Sequence, residues 1–488
     1  MWPLLLAGCL LVPSSEHADN LDPDGDGVVW PEDCASDDPT VSPRAEERCN
    51  GQDDDCDGEI DEGCDTGGTG DPDRWPTQPL ADASRVPHPA DAGAAVVGLP
   101  DLSGDGRAEL AVGFPGGADG RGVVLIHDAP EGAILSAELA RLVLSLADDT
   151  AGMGAALAHV GSSTCGAQGG LAVGAPQADE ASTSGARIEG GVWVVSLTQT
   201  GALALDAPLL QGGQSGARLG TSLTWLRGDD EGLLAAGAPG FGVGGGVLLQ
   251  AAPCAASPPE AGALVSSESR EGAGAALGAL DLDGDGIDEV VVGAPEADPN
   301  DRADAGRVYV VTHGSGTLDL ADSDIVLVGG AARLALGATI ATGDLDDDGL
   351  ADLVLGAPGG GAAYAFTTLD LGTTGSAAEL ATHTLLIDEP GAGAGVALTD
   401  LDDDGALDLA VSACPTCVGA ASSTSGVWVW AGPQPAGVTE APAAGTGRVL
   451  AHPGPEVGPA LAPWGPAGLL VGGAAPTADG VGAWVVGE

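Results

Sequence analysis

A short apolar stretch ending in Gly-(Ala/Phe)-Pro, or in a close variant, recurs along most of this chain of 488 residues. Successive prolines of this motif are 61, 63, 56, 63, 57 and 61 residues apart, so the repeating unit is about sixty residues long. A fixed period of this length is typical of proteins built from repeated structural units. The seven prolines are Pro115, Pro176, Pro239, Pro295, Pro358, Pro415 and Pro476.

Each unit contains four short apolar runs with no helical period between them. A run of small residues precedes the proline strand, as in Gly154 to Leu157 or Leu336 to Thr339. A further run precedes that one, as in Ile325 to Val328 or Thr384 to Ile387. After each proline comes a Gly/Val-rich run with a marker position that is usually large and apolar, as a core position should be. The marker residues are Val124, Trp193, Leu248, Tyr309, Tyr364, Trp428 and Trp484.

Four strands in each of seven units predict an all-β fold, a seven-bladed β-propeller spanning residues 75–488. A solenoid is the alternative, but it would not need a closing strand. If the strand that opens each unit completes the preceding blade, the last blade, which ends at Trp484 to Val486, has no outer strand of its own. The segment Thr77 to Leu80 is free to fill that place, which would leave no exposed edge at the join.

Four acidic nine-residue loops lead directly into proline-motif strands. They carry carboxylates mostly at positions 1, 3, 5 and 9 and Gly at position 6, which suits a hard cation that needs six to eight oxygens from a short turn. We assign side-chain oxygens to positions 1, 3, 5 and 9 and a backbone carbonyl to position 7, with water completing the shell. Ser103 at position 3 predicts a weaker first site, and simple Asp/Gly turns are the alternative. The candidate ligands are Asp101, Ser103, Asp105, Arg107, Glu109, Asp281, Asp283, Asp285, Ile287, Glu289, Asp344, Asp346, Asp348, Leu350, Asp352, Asp400, Asp402, Asp404, Ala406 and Asp408.

Three stretches resemble the FG-GAP repeats of integrin α-subunit propellers and of their bacterial relatives: Asp281 to Pro295, Asp344 to Pro358 and Asp400 to Pro415. The acidic loops of that family bind calcium, so the resemblance implies Ca²⁺ in the four matching loops. The units around Pro176, Pro239 and Pro476 lack the acidic pattern and are expected to be free of metal.

The segment from Asp22 to Asp65 has 17 acidic residues, two Arg and four Cys, and too little apolar surface for an unaided core. We expect a small acidic N-terminal module held by metal ions and disulfides, with a solvated acidic tail as the alternative. The run from Glu32 to Glu62 resembles the MopE-type metal-binding motif of bacterial secreted proteins, a name associated with copper. Oxygen ligands and the lack of His favour calcium over copper, and both remain open. The candidate ligands are Asp22, Asp24, Asp26, Asp33, Asp53, Asp55, Asp57 and Asp61.

The chain starts with an apolar segment in which Leu6 to Cys9 resembles the lipobox of bacterial lipoproteins. The resemblance implies a lipoprotein-type signal in residues 1–9 with lipidation of Cys9, followed by a tether in residues 10–21. A flexible linker is expected in residues 66–74, between the acidic module and the repeats. An ordinary signal peptide, a chance match and a start codon upstream of Met1 are the alternatives.

The remaining eight cysteines indicate an oxidising compartment because all of them can pair. Cys414 and Cys417 favour a local disulfide, whereas Cys165 and Cys254 either pair with each other or stay buried. Three pairings are open for the four cysteines of the N-terminal module, which are Cys34, Cys49, Cys56 and Cys64.

A formal net charge of -57, with no Lys, argues against nucleic acid or an anionic membrane surface as a partner. Membrane contact is expected only through the lipid anchor. We expect the protein to act outside the cytoplasm, either as a lipoprotein of the outer membrane or cell surface or in secreted form. Turns after the prolines vary in length, and we expect those at Gln177 to Gly190, Glu296 to Ala305 and Thr416 to Ser425 to form a partner surface.

The first functional hypothesis is a calcium-binding propeller that mediates adhesion or binds a protein or glycan at the cell surface. A hydrolase or lyase on the same scaffold is the second, although no motif nominates a nucleophile or base. A structural surface protein is the third. The tripeptide Arg227-Gly228-Asp229, which many integrins recognise, is interpreted as a solvated turn.

Overall fold

The computed structural model describes residues 84–87, 95–115, 122–128, 140–146, 152–162, 165–177, 189–205, 207–228, 232–255, 261–312, 317–367, 369–370, 372–387, 389–401, 405–414, 426–430, 437–441, 448–451, 457–464, 468–473 and 481–486. Contacts divide the chain into Met1–Trp75 and Pro76–Glu488, and the described residues all lie in the second unit. No helix among these residues is long and apolar enough to span a membrane.

The regular structure of the described residues is nearly all β, as the sequence predicts. The strands of the first half are β1 (Ser84–Pro87), β2 (Ala95–Leu99), β3 (Glu109–Phe114), β4 (Val123–His127), β5 (Leu142–Leu146), β6 (Ala156–Val160), β7 (Gly170–Ala175), β8 (Gly191–Ser196), β9 (Gly201–Leu205), β10 (Leu210–Gln211), β11 (Leu223–Leu226), β12 (Leu233–Ala238), β13 (Gly246–Ala251), β14 (Gly262–Val265), β15 (Ala276–Leu280) and β16 (Glu289–Ala294).

The second half continues in the same way, with one short helix and two 3₁₀ turns. The elements are a 3₁₀ turn (Pro299–Asp301), β17 (Arg307–Val311), β18 (Thr317–Asp319), a 3₁₀ turn (Leu320–Asp322), β19 (Ile325–Val328), β20 (Thr339–Gly343), β21 (Asp352–Ala357), β22 (Ala362–Phe366), β23 (Thr374–Ser376), α1 (Ala377–Leu380), β24 (His383–Ile387), β25 (Ala392–Thr399), β26 (Asp408–Ala413), β27 (Gly426–Trp430), β28 (Gly437–Ala441), β29 (Arg448–Ala451), β30 (Val457–Trp464), β31 (Gly468–Gly473) and β32 (Val481–Val486).

Among the described residues these strands form seven sheets, which we number S1 to S7 in chain order. Within each sheet the first four strands are antiparallel neighbours, and the strand that precedes a proline motif is always the second. The sheets are S1 (β2-β3-β4-β5-β9), S2 (β6-β7-β8-β10), S3 (β11-β12-β13-β14-β18), S4 (β15-β16-β17-β19-β23), S5 (β20-β21-β22-β24-β28), S6 (β25-β26-β27-β29) and S7 (β30-β31-β32-β1).

The first strands of the sheets contact one another in a cycle. The order of contacts is β2, β6, β11, β15, β20, β25, β30 and back to β2. All seven strands contribute to the wall of one cavity of about 240 Å³. Every residue of the second strand is buried in S1, S2, S4, S5 and S6, so these strands lie between covered faces. The arrangement is consistent with a propeller-like fold, in which sheets surround a common axis.

S7 combines strands from both ends of the unit. Its strand β1 pairs antiparallel with β32, with Arg85 opposite Trp484. The sequence predicts such a closing strand but places it at Thr77 to Leu80, which lies outside the described residues. The difference has a physical reason, because Pro79 would interrupt the hydrogen bonds in the middle of that segment, whereas Pro87 stands at the end of β1.

The connection between the third and fourth strands of a sheet often reaches back to the preceding sheet. In this way β9, β18, β23 and β28 each pair in parallel with the outer strand of the sheet before. No fifth strand is described on S2, but the corresponding connection of S3 carries Cys254, which forms a disulfide with Cys165 of S2. One of the two alternatives for this cysteine pair is thereby confirmed. Cys414 is also disulfide-bonded, and Cys417 lies outside the described residues.

The repeat markers lie in the third strand of each sheet. Val124, Trp193, Tyr309, Tyr364 and Trp428 are buried, as predicted. Leu248 is partly buried, and the side chain of Trp484 is outside the described set.

The first strands begin two or three residues later than the small-residue runs suggest, at Ala156 rather than Gly154 and at Thr339 rather than Leu336. The backbone of Gly154 (φ +90°) and Gly337 (φ +79°) is left-handed, which keeps these glycines out of the strands. They contact the backbone of the preceding sheet instead.

His127 at the end of β4 is 1% exposed, and neither ring nitrogen has a hydrogen-bond partner among the described residues. Burial lowers the pKa of His127 from 6.5 to about 4. Between pH 6.5 and pH 4 the imidazole binds a proton in the unfolded chain but not in the folded protein. The free energy of unfolding is therefore unaffected by this group above about pH 6.5 and falls as the pH drops toward 4.

We expect protonation of this histidine in the unfolded chain to lower the free energy of unfolding by about 2 kcal/mol when the pH falls from 7 to 5. Urea unfolding at both pH values measures this decrease. In His127→Phe the decrease from pH 7 to pH 5 should be smaller by about 2 kcal/mol. Parallel losses in the two proteins would contradict the assignment.

Candidate metal centres

The four acidic loops connect the first and second strands of S1, S4, S5 and S6. Because these sheets share one strand order, the loops lie at the same end of their sheets, opposite the proline turns. Position 9 of each loop is the first residue of the second strand. The repeat therefore fixes where each loop begins and ends.

Within each loop the carboxylate at position 1 accepts a hydrogen bond from the backbone later in the same loop. The N–H of the glycine at position 6 donates to Oδ2 of the Asp at position 1, over 2.8 to 3.0 Å in all four loops. The glycine has φ between 87° and 91°, which a residue with a Cβ adopts only with strain. In the first loop, the hydrogen bond from Gly106 and those from Gly104 and Asp105 lower the pKa of Asp101. The predicted roles of Asp at position 1 and Gly at position 6 are thus tied to one local geometry.

Position 9 is buried and anchors the loop to its strand. One carboxylate oxygen accepts from the N–H at position 2, over 2.5 to 2.9 Å. The residue at position 2 is leucine in every loop, a regularity that our sequence analysis did not use. Its members are Leu102, Leu282, Leu345 and Leu401.

In S5, burial disfavours the charged form of the carboxyl group at position 9. The pKa of Asp352 is raised to about 6, mainly by burial, with the nearby charges of Asp346 and Asp344 adding to the effect. Burial likewise raises the pKa of Glu289. A cation in these loops would offset both the burial and the mutual repulsion of the carboxylates.

Two of the loops gather their carboxylates into compact clusters. In each, one oxygen from positions 1, 3 and 5 lies within 4.8 Å of the others. Oδ1 of Asp281 and Oδ1 of Asp346 are buried and have no hydrogen-bond partner among the described residues. Buried anionic oxygens without donors fit a bound cation, and an all-oxygen set fits a hard one such as Ca²⁺. The clusters are Asp281, Asp283, Asp285 and Asp344, Asp346, Asp348.

The other two loops are described less fully. In the first, Ser103 Oγ is 3.4 Å from Asp101 Oδ1, and Asp105 accepts from the N–H of Arg107. In the last, Asp400 and Asp408 show the same anchoring hydrogen bonds, but residues 402–404 lie outside the described part of the chain. The N-terminal candidates, including Cys9 and all eight acidic ligands between Asp22 and Asp61, also lie outside it.

Beside the loop of S4 stands an arginine whose ion pair was not predicted from the sequence. Arg227 donates to both oxygens of Asp288 and lies 3.6 Å from Asp281 Oδ2. It directly follows β11, as Asp281 directly follows β15, so in S3 it occupies the place of the first acidic residue. Aligning the units would have revealed this substitution. The guanidinium belongs to an ion pair between neighbouring sheets, although the Arg227 side chain is 61% exposed. Asp229 lies outside the described residues, so the solvated turn stays a prediction.

One comparison with known proteins matches the part of the chain that contains the two carboxylate clusters. Residues 273–311 and 336–375 match the family described as FG-GAP repeat, so the chain contains FG-GAP repeats around both carboxylate clusters. Integrin alpha-3 of Cricetulus griseus is 37% identical over 86 residues, and that of Mus musculus is 36% identical over the same length. These alignments cover 17% of this chain and only 8% of each integrin chain.

Among solved structures, Sqt1 from Chaetomium thermophilum aligns with 83% of this chain and 98% of its own, with a TM-score of 0.43 and 13% identity.

Proposed function

We propose that this protein is a calcium-stabilised, seven-bladed β-propeller that acts outside the cytoplasm and binds a protein or glycan. The cyclic contacts between the first strands and the β1–β32 pairing support the propeller. The FG-GAP repeats that the chain has in common with integrin alpha-3 support a binding role. The disulfide between Cys165 and Cys254 supports an oxidising compartment, and lipidation at Cys9 would hold the protein at a membrane.

The observation that carries the calcium assignment is the pair of clusters with an unpaired buried carboxylate oxygen in each. Ca²⁺ would be held by positions 1, 3 and 5, with the carboxylate of position 9 and the carbonyl of position 7 as further ligands. The ion would join the loop to the start of the second strand. Its role is structural, because it would neutralise clustered negative charge at one end of the sheets.

We expect about 1 mM calcium to raise the free energy of unfolding by about 1 to 3 kcal/mol through these two clusters, for dissociation constants of about 0.1 to 1 mM. Thermal and urea unfolding, with calcium and with chelator, measure the increment. The double variant Asp281→Asn and Asp346→Asn should lose most of it. The control pair Asp301→Asn and Asp322→Asn, exposed acids outside the loops, changes the charge equally and should retain it. An unfolding transition that ignores the chelator would refute the calcium assignment.

The binding role is tested separately on calcium-loaded protein. A glycan array and an array of cell-envelope proteins should yield a saturable ligand, whereas a panel of glycosidase and lyase substrates should yield no turnover. Turnover that depends on the folded protein would replace the binding role by an enzymatic one.

A further inference from the structure

A cavity of about 180 Å³ opens between S4 and S5 at the end of the sheets that carries the acidic loops. Its deepest residues, Leu280, Leu353 and Phe366, are almost fully buried. Its outer wall contains partly covered leucines from three connections. They are Leu282 of the S4 loop, Leu350 of the S5 loop and Leu369 after β22.

Leu350 is the unusual member of this wall. Its side chain is 42% exposed, although it is a large apolar group at the tip of an acidic loop. It leans toward the neighbouring loop, because a Cβ on Gly284 would lie 3.0 Å from Leu350 Cδ2. The wall is therefore built jointly by two metal loops, which present an apolar surface to solvent at the cavity mouth.

Carboxylates stand beside this apolar surface. Asp348 and Asp370 line the same cavity and are exposed. The loop from Asp344 to Asp352 has five acidic residues, so it stays negative after binding a divalent ion. An apolar recess with an acidic rim matches a ligand that is apolar at its tip and cationic beside it.

The size of the cavity limits the class of ligand. Small-molecule sites typically enclose about 300 to 1,000 Å³, which is more than this cavity offers, whereas one large side chain requires less. The formal charge of -57 disfavours a second copy of this chain. The acidic segment from Asp22 to Asp65, with 17 acids and two Arg, is disfavoured for the same reason.

We propose that this cavity receives one large apolar side chain of a cationic polypeptide segment, whose flanking Arg or Lys side chains pair with Asp370 and face the negative charge that the S5 loop keeps after binding calcium. The proposal rests on the proposed binding function and names its partner class. The surface lies at the opposite end of the sheets from the proline turns. It is therefore separate from the partner surface expected at those turns.

The probe is a fluorescein-labelled peptide with one phenylalanine between two pairs of arginines, compared with the same peptide carrying glycine in place of phenylalanine. Anisotropy is recorded with the full chain in about 1 mM calcium. We expect the phenylalanine probe to bind about tenfold more tightly, because one apolar side chain leaves water. In Leu350→Ser the preference should fall to about twofold or less. In Asp370→Asn both probes should weaken together by about two- to threefold.

Matched controls separate these effects from general ones. Leu380→Ser removes a leucine of similar exposure (37%) in α1 and should leave the tenfold preference intact. Asp322→Asn removes one exposed charge elsewhere and should weaken neither probe by more than about 1.5-fold. Equal binding of the two probes to the unmodified protein, or an equal loss of preference in Leu350→Ser and Leu380→Ser, overturns the proposal. So does association between copies of the chain that Leu350→Ser abolishes.

The calcium increment in unfolding free energy, measured on the same preparations, distinguishes this proposal from the proposed function. A normal increment without a phenylalanine preference refutes the cavity alone. A phenylalanine preference without any calcium increment refutes the calcium role and supports the cavity.

Discussion

Replacing Gly293 with alanine is expected to lower the free energy of unfolding by about 3 kcal/mol or more. Gly293 lies in β16 of S4, and a Cβ there would collide with the backbone carbonyl of Gly337, which leads into S5. Neither group can rotate away as a side chain would, so the two sheets must separate or their strands must bend. Overpacking of a tight interior typically costs about 1 to 3 kcal/mol and more when backbone is the obstacle.

Urea unfolding of Gly293→Ala measures this loss directly. The matched control is Gly330→Ala, because the new Cβ would meet only the hydroxyl of Ser376 at an ordinary 3.4 Å. Its stability should change by no more than about 1 kcal/mol, with a small gain expected from the stiffer unfolded chain. Similar stabilities of the two variants would show that the sheets are not held in backbone contact.

The same contact recurs around the molecule and explains the glycine of the Gly-(Ala/Phe)-Pro motif. In each described case the strand glycine lies against a left-handed glycine that opens the next sheet. The pairs are Gly113–Gly154, Gly174–Gly220, Gly237–Gly274, Gly293–Gly337 and Gly356–Gly393.

Replacing Glu271 with alanine should have a comparable or larger effect, about 3 to 5 kcal/mol. Glu271 is 2% exposed in the connection from S3 to S4 and accepts hydrogen bonds from Ser266 Oγ (2.6 Å), Tyr309 Oη (2.7 Å) and the guanidinium of Arg307. Burial raises the pKa of Tyr309, so its hydroxyl stays protonated and donates. Without the carboxylate the mostly buried guanidinium would lose its counter-charge.

Equilibrium unfolding again provides the measurement, and two variants test the cause. Glu268→Gln alters an exposed acid three residues away and should change stability by less than about 0.5 kcal/mol. The triple variant Glu271→Leu, Arg307→Leu and Tyr309→Phe removes both buried charges and the phenol together and should recover most of the loss. Ser266 Oγ keeps the carbonyl oxygen of Glu268, 3.4 Å away, as an acceptor. A triple variant as unstable as Glu271→Ala would point to packing volume, and not to the unpaired charge, as the cause.

Much of the fold could be predicted because the same pattern of apolar runs occurs in seven units of the sequence. Single strands such as Ile325–Val328 follow from apolar runs, and the order of strands follows from the constant period. The fifth strands could not be predicted in this way. The strand β18 has only three residues, and its pairing with β14 depends on a neighbouring sheet that the local sequence does not encode.

The geometry of the acidic loops could be predicted for a similar reason, and only in part. Carboxylate spacing indicates positions 1, 3 and 5, because a short turn alone brings them together. The hydrogen bond from position 2 to position 9 depends on where the second strand starts. The pair between Arg227 and Asp288 depends on two sheets meeting, and 61 residues separate its partners. Contacts of this kind become visible only when the units are aligned with one another.

The closing strand implies an order of events during synthesis. Ser84–Pro87 pairs with a strand that leaves the ribosome roughly 400 residues later. At about 5 to 20 residues per second, β1 must wait roughly 20 to 80 s for its partner. During that interval the first and last sheets cannot be joined, and an unpaired edge is open to other chains. Ring closure is therefore expected to be a late and slow step, dominated by contacts between distant parts of the sequence.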